Sequence, residues 1–183
     1  MADKKMNPSA ILSKKLITDA LFDMLAIKSL SSISISEIAE NASVDRRTFY
    51  RHFKSKNDVI RYYIHNALIQ YEQILLRYNV KDTYFLAKAI FETLLCIKEV
   101  LLIFYKQNLL DLFLIDFEVI YKKYQYQCSE IINLENIDYI MAFERGGIIN
   151  IVKIWISEGC KHSPEEMGTI IRRTLLFIGA KTS

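Results

Sequence analysis

The first glycine of this 183-residue chain is Gly146, and the chain holds only five glycines and two prolines. A backbone so poor in both residues has few places to turn tightly. An all-β sandwich of short hairpins is therefore disfavoured, and long, rarely interrupted helices are expected. The same gap removes two enzyme classes. A phosphate-cradling P-loop and a dinucleotide-binding G-x-G-x-x-G both need clustered glycines where a strand opens into a helix, and no such cluster exists here. With 51% apolar and 25% charged residues, the composition is that of a folded protein, long enough to bury a real core.

Charge is unevenly placed. Residues 1–57 carry ten Lys/Arg against six Asp/Glu, whereas residues 58–183 carry fourteen against fifteen. A basic first third suggests an anionic partner for that part alone. Cys96, Cys128 and Cys160 form no C-x-x-C pair and no metal-ligand spacing, so neither a disulfide framework nor a metal site is expected, and each is read as a half-buried apolar residue. No cofactor is expected either. The residues from Met1 to Lys5 lead into a capped amphipathic segment and do not read as a signal peptide. The longest stretch free of Asp, Glu, Lys and Arg is the ten residues from Tyr62 to Tyr71, far short of a membrane span. A cytoplasmic protein is expected.

Hydrophobic spacing predicts about nine helices. Leu12, Leu16, Ile17, Ala20, Leu21, Met24 and Leu25 form one stripe of a first helix ending near Lys28. Ser36 is the expected cap of a two-turn helix over 37–42. Asp45 is a good N-cap for the helix from Arg46 to Phe53. A long helix runs from Lys56 to about Tyr78, and Asn79 to Asp82 break it. Residues 83–105 are apolar on most faces, with a bend near Lys98. Asn108 is read as the cap of a helix reaching Cys128, a loop surrounds 133–136, and another helix covers 137–156. Ser163-Pro164-Glu165-Glu166 opens the last helix with a capping hydroxyl, a proline at the first helical position and a glutamate three residues after the serine. The expected fold is all-α, with domains over 1–57 and 58–183 sharing the long helix.

Two short helices joined tightly behind a longer one make the three-helix form of a helix-turn-helix. In the second of them Phe49 and Phe53, four residues apart, face inward. Arg46, Arg47, Thr48, Tyr50, Arg51 and His52 are left outward or sideways, with Lys54 and Lys56 following at once. A helix in a major groove uses such a face for base edges and its flanks for phosphates.

The string from Ile35 through Ile-Ala at 38–39, Thr48-Phe49-Tyr50, His52-Phe53 and Lys56 to Ile60 resembles the DNA-binding signature of TetR/AcrR-type regulators. The resemblance covers residues 9–60. It implies that Ser34 and Ser36 contact phosphate at the start of the second helix, with Ser36 also capping. Arg46, Arg47 and Thr48 would face bases, Tyr50, Arg51 and His52 bases or backbone, and Lys56 would anchor a phosphate. Lys14 and Lys15 read better as a solvated helix face. Ser43 stands where the family usually has glycine, which relieves a cramped or left-handed backbone, so a local cost is expected.

The remaining chain reads as a helical bundle rich in aromatic residues, where the family encloses an effector pocket; no pocket-lining residue is legible. The last two helices are expected to form the dimer interface as a four-helix bundle, through Met141, Gly146, Gly147, Ile148, Ile151, Trp155, Met167, Ile171 and Leu175. The resemblance thus implies a homodimeric regulator, a repressor on a palindromic operator in double-stranded DNA. A small-molecule effector would release it by moving helix 56–78; the alternative is control by a partner protein. An all-α enzyme is not expected, because the histidines are scattered, no Glu-x-x-His pair occurs, and Asp111, Asp116 and Glu118 read as a solvated face.

Overall fold

Helix caps, more than turns, set the architecture. The computed structural model describes residues 7–78, 82–115 and 137–180, with the backbone alone at 137, 141 and 177–180. Helix α1 spans Pro8–Leu25 and is capped by Asn7, whose side chain accepts from the Ser9 N–H. A 3-10 turn, Leu30–Ser32, leads into α2, Ile35–Asn41, and α3, Arg46–His52. Helix α4 is Lys56–Tyr78, α5 Thr83–Cys96 and α6 Lys98–Lys106. A helix α7 is described over 110–115, and α8, Ile137–Ser157, and α9, Pro164–Ala180, follow. No strand occurs among the described residues. The expected loop at 133–136, the course of α7 to Cys128, and Asp116 and Glu118 lie outside them. No described helix is long and apolar enough to cross a membrane.

The chain divides into two units, Met1–Ile64 and His65–Ser183, with the division inside α4. In the first, α1, α2 and α3 pack on one another around Ile17, Leu21, Leu25, Ile33, Ile38 and Phe49, each 2% exposed or less. The α1 stripe is shorter than its spacing suggests: Leu12 is 57% and Leu16 39% exposed. Periodicity continues through the first two turns of α1, but burial begins only at Ile17.

In the second unit α5 packs along α9, and α6 packs on α8. Phe91 meets Trp155 edge-on at 5.1 Å, and the indole N–H donates to the His162 carbonyl at 3.0 Å. Gly168 lets α9 approach α5: a Cβ there would lie 3.0 Å from Tyr84 Cε2 and 3.1 Å from the Tyr84 carbonyl oxygen. Lys88 of α5 pairs with Glu165 of α9 at 2.9 Å. The α9 start is a full capping box, Ser163 and Glu166 bonding each other's backbone N–H. The bend near Lys98 is a real break at Ile97, between α5 and α6.

Asn108 does not cap α7. It closes α6 in a left-handed conformation, φ 55°, and the following Leu109 N–H returns to the Phe104 carbonyl at 2.8 Å. An Asx residue suits either end of a helix, because its side chain caps and its backbone tolerates this region. Cys160 is buried and burial pushes its thiol up, whereas Cys96 is exposed; Cys128 lies outside the described residues.

Between α2 and α3, Ser43 is left-handed as well, φ 53°, with Val44 N–H donating to the Ala39 carbonyl at 2.9 Å. A side chain there carries a steric cost that glycine lacks. Ser43→Gly is expected to stabilise the first unit by about 0.5–1 kcal/mol despite the added unfolded-state entropy; a lower urea midpoint than wild type would contradict it.

Candidate nucleic-acid interface

Helix α3 is a short rod fixed by its own residues. Asp45 Oδ1 accepts from the Thr48 N–H at 2.7 Å, and that bond chiefly holds the Asp45 carboxyl below its ordinary value. The charged cap also complements the positive end of the helix. Phe49 is wholly buried and Phe53 4% exposed, their rings 6.0 Å apart, with Tyr62 of α4 edge-on to Phe53 at 5.6 Å. With the aromatic face packed down, Arg46, Arg47, Tyr50 and Arg51 are exposed. Tyr50, half exposed, rests edge-on against Phe49 at 5.7 Å.

Thr48 is less free than these four. Its hydroxyl donates to Asp45 Oδ2 at 3.3 Å and accepts from Arg51 Nη2 at 3.5 Å, so it links the cap to Arg51. Asp45, Arg47, Thr48, Tyr50 and Arg51 line one shallow concavity of about 650 Å³. His52 is half-buried, and its Nε2 is turned inward with no hydrogen-bond partner. Burial, then the charges of Arg51 and Lys14, push its imidazole below the ordinary value. Lys14 lies over the Tyr62 ring at 5.0 Å and is not simply solvated; Lys15 pairs with Asp19 in the same helix.

The cap of α2 is Ser34, not Ser36. Ser34 Oγ accepts from the Glu37 N–H at 3.2 Å, and Glu37 Oε2 accepts from the Ser34 N–H at 2.8 Å. This is the Ser-x-x-Glu box, legible in the sequence at 34–37; the helix simply begins two residues before the position inferred for it. Ser36 is exposed on the first turn. Glu37 also receives Lys28 Nζ at 2.5 Å, a pair that sequence spacing did not suggest. The Lys28 contact, then the Ser34 N–H and hydroxyl, hold the Glu37 carboxyl at about 2. A depressed carboxyl stabilises the fold above its unfolded value and loses that contribution as pH falls toward about 2, so the box stays intact throughout the neutral range.

Lys56 opens α4, and its ammonium donates to two backbone carbonyls, Leu30 at 2.5 Å and Ile33 at 2.6 Å. The helix itself is capped by Ser55, whose hydroxyl accepts from the Asp58 N–H at 3.2 Å, while Asp58 Oδ2 accepts from the Lys54 N–H at 3.0 Å.

In the second unit, the residues expected between protomers divide in two. Ile148, Trp155, Met167 and Ile171 are 3% exposed or less within their own chain, so their side chains belong to its core. Gly147 is exposed, and Gly146, Ile151 and Leu175 are intermediate; the side chain of Met141 lies outside the described residues. Among the described residues, the large apolar side chains exposed on α8 and α9 are Tyr139, Ile140, Phe143, Ile154, Ile170 and Leu176, between 39% and 79% exposed. The two faces of α8 are both apolar, and spacing alone gave no reason to prefer the outer one. Among the described residues no group of His, Cys, Asp and Glu could hold a metal ion.

Residues 17–63 match the family profile described as bacterial regulatory proteins of the tetR family, and residues 86–176 match that of a transcriptional regulator C-terminal region. Three solved structures share the fold. The dihydroxyacetone kinase operon activator DhaS is 22% identical with a TM-score of 0.62, covering 91% of this chain and 95% of that one. The fatty acid degradation regulator FadR from Bacillus halodurans is 20% identical with a TM-score of 0.63, covering 94% and 97%. A tetR-family transcriptional regulator from Streptomyces coelicolor is 13% identical with a TM-score of 0.54, covering 86% and 78%. No curated protein matches the chain.

Proposed function

The chain belongs to the TetR family of DNA-binding transcriptional regulators, which are not enzymes, and from that premise we propose that it is a cytoplasmic homodimeric repressor of a palindromic operator, released by a small-molecule effector. The observation that carries the reading is the exposed set Arg46, Arg47, Tyr50 and Arg51 on a capped helix whose other face is locked by Phe49 and Phe53. A helix fastened on its inner face presents these side chains in a set register, and arginines suit guanine edges and phosphates alike. Ser34, Ser36, Thr48 and His52 are the further DNA contacts in this reading. The direct test is binding to the duplex that the wild-type chain selects from a randomised library. Tyr50→Ala and Arg51→Ala are each expected to weaken that binding by about tenfold or more; unchanged affinity in both would overturn the reading.

Dimerisation is assigned to the outer face of α8 and α9. Phe143, Ile154 and Ile170 are exposed apolar side chains, and nothing lies within 4 Å of the space beside Gly146 and Gly147, which leaves room for a close helix. Phe143→Arg is expected to leave a folded monomer by sedimentation and to reduce operator binding by at least about tenfold through lost bivalency. A variant still fully dimeric would refute this placement.

One observation favours control by a partner protein as a second reading. The cleft lined by Tyr105, Lys106, Asn108, Leu110, Asp111 and Lys153, about 460 Å³, is open and half polar, a surface that side chains of a docked protein could enter. DhaS, which shares the fold, is an operon activator, so the sign of regulation is read by reporter expression with and without the chain.

A further inference from the structure

We propose that Lys56 is a positioning residue that sets the entry to α2, and not the phosphate anchor that the family resemblance implies. The inference rests on the DNA-binding reading above. Lys56 is the first residue of α4, where the positive end of its own helix disfavours an ammonium, and it is only partly exposed. What holds it there is a pair of carbonyls more than twenty residues away in sequence, Leu30 at 2.5 Å and Ile33 at 2.6 Å. Charge-assisted bonds of this kind are the strong ones.

The two carbonyls bracket Ser31 and Ser32 and end one residue before Ser34, the α2 cap. Leu30 belongs to the 3-10 turn, whose own closing bond from the Ile33 N–H is long at 3.4 Å, so the lysine reinforces the closure of the turn. Ile33 is 2% exposed and anchors the segment in the core. Lys28 in turn reaches Glu37, the other half of the capping box. The α2 entry is thus held between two lysines, one acting on backbone carbonyls and one on a carboxylate. To reach a phosphate with all its donors, Lys56 would have to release the turn.

The two roles differ in salt dependence. A phosphate contact releases counterions, so its loss lowers the slope of log affinity against log salt by about one. A positioning residue lowers affinity without that change. The experiment compares Lys56→Met and Lys56→Arg with wild type on the selected duplex and on a scrambled duplex of equal length, over a salt series, and measures amide exchange in the DNA-free proteins. For Lys56→Met the expected result is about tenfold weaker binding to the selected duplex, little change on the scrambled one, and a slope kept within about half a unit. Exchange should quicken at 33–38 while 47–52 stay protected, and Lys56→Arg, which keeps charge and donors, should restore both. A slope lower by about one with exchange at 33–38 unchanged overturns the proposal in favour of the phosphate anchor. So does a variant with neither affinity nor exchange altered. If Lys56→Met fails to fold, Lys56→Gln is read by the same measurements. Failure of the DNA-binding reading itself would show as a wild-type chain that selects no duplex, and exchange at 33–38 would then still decide whether the lysine holds the turn.

Discussion

Phe49→Ala is expected to destabilise the first unit by about 3–5 kcal/mol and to abolish operator binding with it. Phe49 is wholly buried and its ring touches both neighbours in the aromatic row, Tyr50 at 5.7 Å and Phe53 at 6.0 Å. Removing it leaves a ring-sized hole beneath α3. The short helix has only seven residues, too few to persist without packing. Urea unfolding followed with a probe in the first unit measures the loss. A variant within about 1 kcal/mol of wild type would show that α3 is held by something other than this contact.

Gly168→Val is expected to cost the second unit about 2–3 kcal/mol by overpacking. Substituting a glycine within a helix ordinarily helps by up to about 1 kcal/mol, so the sign of the effect is itself diagnostic. Here a Cβ would stand 3.1 Å from the Tyr84 carbonyl, a backbone atom on the first turn of α5 that cannot swing aside as the Tyr84 ring can. The α5–α9 pair would have to separate, straining the Lys88–Glu165 contact that bridges it. Gly168→Ala should show the smaller cost of the same clash. A melting temperature for Gly168→Val at or above that of wild type would mean that the helices do not meet as closely as this.

What was legible in the sequence follows from which residues carry local chemistry. Asp45 and Ser163 with Glu166 act within one turn of themselves, so motif and structure coincide. The inward pair Phe49 and Phe53 was legible because helical spacing and aromatic size agree. Ser34 was missed because two serines at spacing two compete for one cap, and only the partner, Glu37, decides between them. Tertiary facts were not legible. Leu12 and Leu16 have the right period without a neighbour to bury them, and Lys56 finds its acceptors across a span of more than twenty residues. Trp155 and Phe143 sit on one apolar helix, and nothing in their spacing says which is core.

The left-handed serine at position 43 bears on how such a domain can change over time. A reading helix acquires new base preferences through substitutions that are commonly destabilising. A lineage that exchanges this serine for glycine would gain a margin next to that helix, without touching any side chain that meets the duplex. Drift in operator preference would then be easier after that exchange than before it, and descendants with rewritten arginine positions are expected to carry glycine there.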